Sequence, residues 1–157
     1  MPKPEFVYVT YIETTPEKLW QALIEPEFTR QWWLGYTQQC DWTKDADWRL
    51  VGEDGRVADA GKVLEIDPPR HLVLAWRHEL RKELRDEGFS RATFDLEPVG
   101  GMVKLTITHV SDVPESKLIV AVSGGWPLIL SNLKSLLERG AALRDARLAK
   151  PVRPATE

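Results

Sequence analysis

SRATFDLEPVGGMVKLTITH, residues 90–109, is the stretch that decides the fold class. Ala92, Phe94 and Leu96 alternate with Arg91, Thr93, Asp95 and Glu97. After Gly100 and Gly101 the alternation resumes, with Val103, Leu105, Ile107 and His109 set against Lys104, Thr106 and Thr108. Successive side chains of a strand point to opposite faces of its sheet, so a period of two with one apolar face predicts a hairpin of two half-buried antiparallel strands. The apolar face needs a covering layer.

The cover is legible downstream. In GWPLILSNLKSLLERG, residues 125–140, Trp126, Ile129, Leu130, Leu133 and Leu137 recur at helical spacing. The spacing predicts a helix that begins near Pro114, becomes unmistakable at residue 125 and runs to about Leu148. Its main part would be roughly 33 Å long at ~1.5 Å per residue, enough to span a small domain.

Upstream, HLVLAWRH, residues 71–78, reads as a strand with Leu72, Leu74 and Trp76 on one side. Residues 61–67 read as its predecessor, and Pro68 and Pro69 mark the turn between them. The opening EFVYVTYIE, residues 5–13, mixes β-branched and aromatic side chains at consecutive positions, as in a strand with contacts on both faces. Thr15 can cap a helix whose first turn holds Pro16 and Glu17 and whose apolar face is Leu19, Trp20, Leu23 and Ile24. Pro26 ends it and opens a second short helix, through Phe28 to Trp33. Two strands are expected within 35–60. The charge-dominated ELRKELRDEG, residues 79–88, is expected as a solvated hairpin connection or a short exposed helix. Residues 1–149 therefore read as a single domain and 150–157 as a frayed tail.

Strands and helices are segregated along the chain, which indicates an α+β fold: a curved, mainly antiparallel sheet gripping one long C-terminal helix, with two short helices after the first strand. The whole chain has 157 residues and a formal net charge of -3, which argues against a general attraction to phosphate backbones, and no nucleic acid is expected as partner. Its one cysteine, Cys40, has no neighbour for a disulfide or a zinc motif. No apolar run reaches eighteen residues and the N-terminus carries no apolar leader core, so a cytoplasmic protein without a membrane span is expected.

Seven tryptophans are the anomaly of the composition, since side chains of that size fill a core or line a cavity. Trp32, Trp33 and Tyr36 follow the second helix and could close one end of a pocket, while Trp76, Phe94 and Trp126 could wall it. Leu105 and Leu130, from the inward strand face and the helix, complete the apolar set. Of the three histidines, His71 and His78 lie seven apart in one strand and must face opposite ways, so they cannot share a metal. His78 has the parity of Trp76, and His109 that of Ile107. Either could orient a ligand or move a proton inside the pocket. No metal or cofactor is expected. Gly124, Gly125 and Trp126 read as a weak anion site at a helix start, because Pro127 removes one donor N–H.

Four segments together, YIETTPEKLWQALIEPEFTRQWW (11–33), GKVLEIDPPRHLVLAW (61–76), ATFDLEPVGGMVKLTITH (92–109) and GWPLILSNLKSLLERG (125–140), resemble the heat-shock-protein ATPase activator-like family of the START/Bet v 1-like (SRPBCC) superfamily. The resemblance implies a helix-grip fold enclosing a ligand cavity. The reading that follows is a binder of a small apolar, ring-containing molecule. An enzyme using His78 or His109 is the alternative, and an interaction module with a chaperone partner is the third. A homodimer through an edge strand or the terminal helix is compatible with each.

Overall fold

The computed structural model describes residues 3–149; the expected tail, 150–157, lies outside the described residues. The chain runs β1 (Glu5–Ile12), α1 (Pro16–Ile24), α2 (Pro26–Trp32), β2 (Thr37–Cys40), β3 (Asp47–Val51), β4 (Val57–Asp67), β5 (His71–His78), α3 (Lys82–Arg85), β6 (Ser90–Val99), β7 (Met102–Val110) and α4 (Lys117–Arg139), then a 3-10 turn at Ala146–Ala149. All strands join one antiparallel sheet in the order β1-β7-β6-β5-β4-β3-β2, and α4 packs on its inner face. This is the helix-grip arrangement.

The hairpin that decided the class is β6–β7, closed by Val99 opposite Met102. Gly100 takes φ +59, the left-handed value that a two-residue turn needs at its first central position and that glycine adopts without steric cost. Ala92, Phe94, Leu96, Val103, Leu105, Ile107 and His109 are all buried. Against them α4 lays Trp126, Ile129, Leu130, Leu133 and Leu136, each burial contributing about 1.5–3 kcal/mol for an apolar side chain of that size.

One end of α4 lies near its expected place and the other does not. Helix α4 starts at Lys117, near the expected Pro114 and upstream of its clear periodicity, because its first turn is capped twice. The Ser116 hydroxyl accepts from the N–H of Ile119 (3.2 Å), and the Glu87 carboxylate accepts from the N–H groups of Lys117 (2.8 Å) and Leu118 (3.3 Å) and from the Ser116 hydroxyl (2.5 Å). Gly124, Gly125 and Pro127 therefore lie inside the helix rather than at its start, which removes the anion site imagined there. The helix also stops at Arg139 instead of Leu148. Gly140 takes φ +82 as its cap and donates to the Leu136 carbonyl (2.9 Å).

The charged run 79–88 is more than a solvated connection. Leu84 of α3 is buried, and Glu87 fastens the segment to α4. Finally, β1 is an edge strand buried chiefly on one face: among the described residues no element covers its outer side, where Val7, Val9 and Tyr11 are 49%, 43% and 44% exposed.

Candidate functional site

Between the first half of α4 and the β3–β5 side of the sheet lies a cavity of about 270 Å³. Strands supply Leu50, Ala58, Asp59, Trp76 and His78. Helix α4 supplies Leu118, Ala121, Val122, Gly125, Trp126, Leu128 and Ile129. Arg81 and Leu84 come from the α3 segment, and Trp33, Leu34 and Tyr36 from the chain leaving α2.

The last three reach the cavity because the chain reverses there. Leu34 and Gly35 have φ of +52 and +90, and the Gly35 N–H donates to the Arg30 carbonyl (2.9 Å), which closes the end of α2 and turns Trp33 and Leu34 inward. The buried Asn132 of α4 fixes that end from the other side. Its amide donates to the carbonyls of Trp32 (3.0 Å) and Gln31 (3.3 Å), and its own carbonyl accepts from the Leu143 N–H (2.6 Å).

Five tryptophans meet behind and around the cavity. Trp33 stacks on Trp32 (ring centroids 4.9 Å apart) and lies 6.0 Å from Trp76 and 5.7 Å from Trp126; Trp76 and Trp126 are 5.5 Å apart. Trp48 and Trp76 approach to 4.5 Å across β4, where both are in register with Gly61. A Cβ at Gly61 would fall 1.7 Å from the Ala75 carbonyl oxygen, so only glycine fits between these strands.

The two inward histidines have different surroundings. His109 is fully buried. Its Nδ1 accepts from the Trp126 indole N–H (3.2 Å), so the proton is on Nε2, which donates to Ser90 Oγ (2.7 Å); the Ser90 hydroxyl then donates to the Trp76 carbonyl (3.1 Å). Burial pushes its pKa down to about 4. His78, opposite Asp59 in the β4–β5 register, places Nδ1 3.2 Å from Asp59 Oδ1, which also accepts from the Trp76 indole N–H (2.9 Å). With the carboxylate as acceptor, Nδ1 carries the proton. Nε2 of His78 is buried and has no hydrogen-bond partner among the described residues.

The structure thus brings Trp33, Tyr36, Trp76, His78 and Trp126 to the cavity. It places Trp32, Phe94, Leu105, His109 and Leu130 in the core behind it. Trp32 donates to the Ala22 carbonyl (2.8 Å), and the Phe94 ring packs on Trp126 at 5.7 Å. His71 faces outward between Asp95 (2.6 Å) and Glu65 (3.1 Å), and the bond to Asp95 does most to raise its pKa.

Asp59 was not singled out in the sequence. Its signal is the continuation of β4 upstream of Gly61, which gives Asp59 the parity of Gly61 and so of Trp76 and His78. Among the described residues no three His, Cys, Asp or Glu side chains gather as a metal site, and no helix is long and apolar enough to cross a membrane. A second hollow, of about 450 Å³, lies on the outer sheet face among Lys3, Leu64, Phe89, Arg91 and Asp112, away from the tryptophans.

Residues 13–138 match the family described as activator of Hsp90 ATPase homolog 1-like protein. No curated protein matches the sequence. Several solved structures share the fold. CalU16 from Micromonospora echinospora superposes with a TM-score of 0.72 at 19% identity, over 92% of this chain and 80% of that one. The Aha1 dimer from Colwellia psychrerythraea gives 0.69 at 20%, over 87% and 97%. PFC0360w, an HSP90 activator from Plasmodium falciparum, gives 0.69 at 21%, over 85% and 95%.

Proposed function

The chain belongs to the activator of Hsp90 ATPase homolog 1-like family, and from that premise we propose that it binds a small, largely apolar, ring-containing molecule between α4 and the sheet. The observation that carries this reading is the cavity itself: about 270 Å³, with Trp33, Trp76 and Trp126 in its wall and few polar groups. Ligand pockets are mostly apolar and aromatic with a few placed polar atoms, and span about 300–1,000 Å³, so a volume near the lower limit suits a compact ligand. Indole faces favour offset or edge contact with another ring.

The test is a lipophilic library screened by tryptophan quenching and by melting temperature. A ligand at 100 times its Kd stabilises the native state by ~2.7 kcal/mol. Quenching together with a rise in Tm is the expected result. A library that leaves both unchanged defeats the reading.

The pairing of His78 with Asp59 favours an enzymatic second reading, since a histidine oriented by a carboxylate and facing an apolar cavity is equipped to accept a proton. The same reasoning does not extend to His109, whose two nitrogens are both engaged. For an interaction module, the support is that the Plasmodium protein of the same fold is an HSP90 activator. Charge reversal at Arg81, Lys82 and Arg85 tests it, by loss of partner capture with ligand binding intact. The Colwellia relative is a dimer. A homodimer of this chain would have the row Val7, Val9 and Tyr11 of edge strand β1 to cover, and sedimentation velocity checks for it.

A further inference from the structure

We propose that the ligand is a hydroxyl-bearing aromatic compound of the phenol type, whose O–H donates to Nε2 of His78 while its ring lies against Trp33, Trp76 and Trp126. This deepens the cavity reading and rests on it.

The polarity of the site follows from the hydrogen bonds already spent. Trp76 gives its N–H to Asp59 (2.9 Å) and Trp126 gives its own to His109 (3.2 Å), so these two indoles offer the ligand ring faces and no donor. Asp59 also holds Nδ1 of His78 (3.2 Å), which fixes the imidazole orientation and leaves the lone pair on Nε2. That atom is buried and unpartnered among the described residues, and His78 lines the cavity. A buried acceptor without a partner is unfavourable, and a ligand O–H relieves it. Arg81, which also lines the cavity, has its guanidinium paired with Glu83 (2.6 Å).

The same geometry selects among ligands. A carboxylic acid would bring a second carboxylate close to Asp59 in a low-dielectric site, which like-charge repulsion opposes. An ether or ketone offers no proton to Nε2. A hydrocarbon fits the ring faces and leaves the acceptor unpaired. Sites built around a hydrogen bond reject the analogue that cannot form it more strongly than apolar pockets reject a size change. Asp59 acts here through His78, as a positioning residue.

The experiment titrates the full chain with naphthalene, 2-naphthol and 2-methoxynaphthalene, following tryptophan fluorescence and calorimetry, in the native protein and in His78→Leu and His78→Gln. In the native protein 2-naphthol should bind about tenfold tighter than its methyl ether, which corresponds to ~1.4 kcal/mol. His78→Leu should abolish that preference, so that 2-naphthol and its methyl ether bind with equal affinity. His78→Gln, whose amide carbonyl remains an acceptor, should restore part of it. Nitrogen-15 spectra of the His78 ring in the native protein provide a readout independent of the variants. Nε2 should be unprotonated in the free protein and move on adding 2-naphthol but not the ether. Equal affinity for naphthol and ether, a preference that survives in His78→Leu, or a protonated Nε2 in the free protein would each overturn the proposal. If naphthalene and naphthol both fail to bind the native protein, the cavity reading falls, and this proposal with it. Naphthalene binding without naphthol preference removes the proposal alone.

Discussion

His78 and His109 project from the same face of one sheet, and each stands one step from the Trp76 indole, yet they are opposite kinds of histidine. His109 packs 5.4 Å from the Trp76 ring and has a partner for each nitrogen. His78 shares Asp59 with the Trp76 N–H and has, among the described residues, a partner for only one. The fully satisfied histidine holds strands and helix together; the half-satisfied one borders the cavity. Being inward, aromatic-flanked and polar does not place a residue at the cavity. The distinguishing property is what its last nitrogen meets.

The comparison can be broken most forcefully at the core. His109→Ala removes the partner of both Trp126 and Ser90 and opens a void under α4, so chemical denaturation should show a loss of roughly 3–5 kcal/mol. A loss below ~1 kcal/mol would mean that the network contributes little. At Gly61, replacement by Ala drives a methyl group into the Ala75 carbonyl and parts Trp48 from Trp76. That should cost about 3 kcal/mol and alter the near-ultraviolet dichroism of the indoles.

Acid should reach the same core. His109 has its pKa lowered to about 4, against ~6.5 when unfolded. The unfolded chain therefore binds the extra proton first. Stability attributable to His109 is complete above pH ~6.5 and declines as pH falls toward 4, by on the order of 3 kcal/mol in all. His71 has the opposite sign. Its pKa is raised, chiefly by Asp95, so its contribution is complete below pH ~6.5 and is lost as pH rises through the folded value. Denaturant midpoints between pH 5 and 7 should fall on acidification, and less steeply in His109→Gln. A flat profile shared by both proteins would contradict the assignment. The smallest effect belongs to His78→Leu, at about 1 kcal/mol, because it gives up one hydrogen bond and makes none of the ties between sheet and helix that hold His109. If that loss equals the His109→Ala loss, the two histidines are not different in kind.

Much of the fold was legible because its signals are local. The alternation at 92–96 and 103–109 and the helical spacing of Trp126, Ile129, Leu130 and Leu133 placed the buried faces of β6, β7 and α4 correctly. The helix expected to about Leu148 ends at Arg139, because Gly140 takes a left-handed φ that no sequence period reveals. Gly124, Gly125 and Pro127 looked like a helix start, yet Glu87, thirty residues before Lys117 in sequence, supplies the cap that lets the helix form upstream of them. The cavity wall is legible in half: Trp76 and His78 follow from strand parity, Trp126 from helical spacing, and Trp33 and Tyr36 from their place after the second helix, whereas Asp59 lies in a segment with no clear period of its own.

The sequence by itself determined the elements, the faces they bury and the α+β class, because a period of 2 or 3.6 depends only on backbone geometry within a few residues. Only the tertiary structure decided which inward residues line the cavity and which lie behind it. Asp59 meets His78, nineteen residues away, through the register of β4 against β5, and Trp126 meets His109 through the docking of α4. Those contacts fix one histidine with both nitrogens occupied and leave the other with an acceptor unpartnered among the described residues. Periodicity along a chain carries no information about the partner that arrives from another strand.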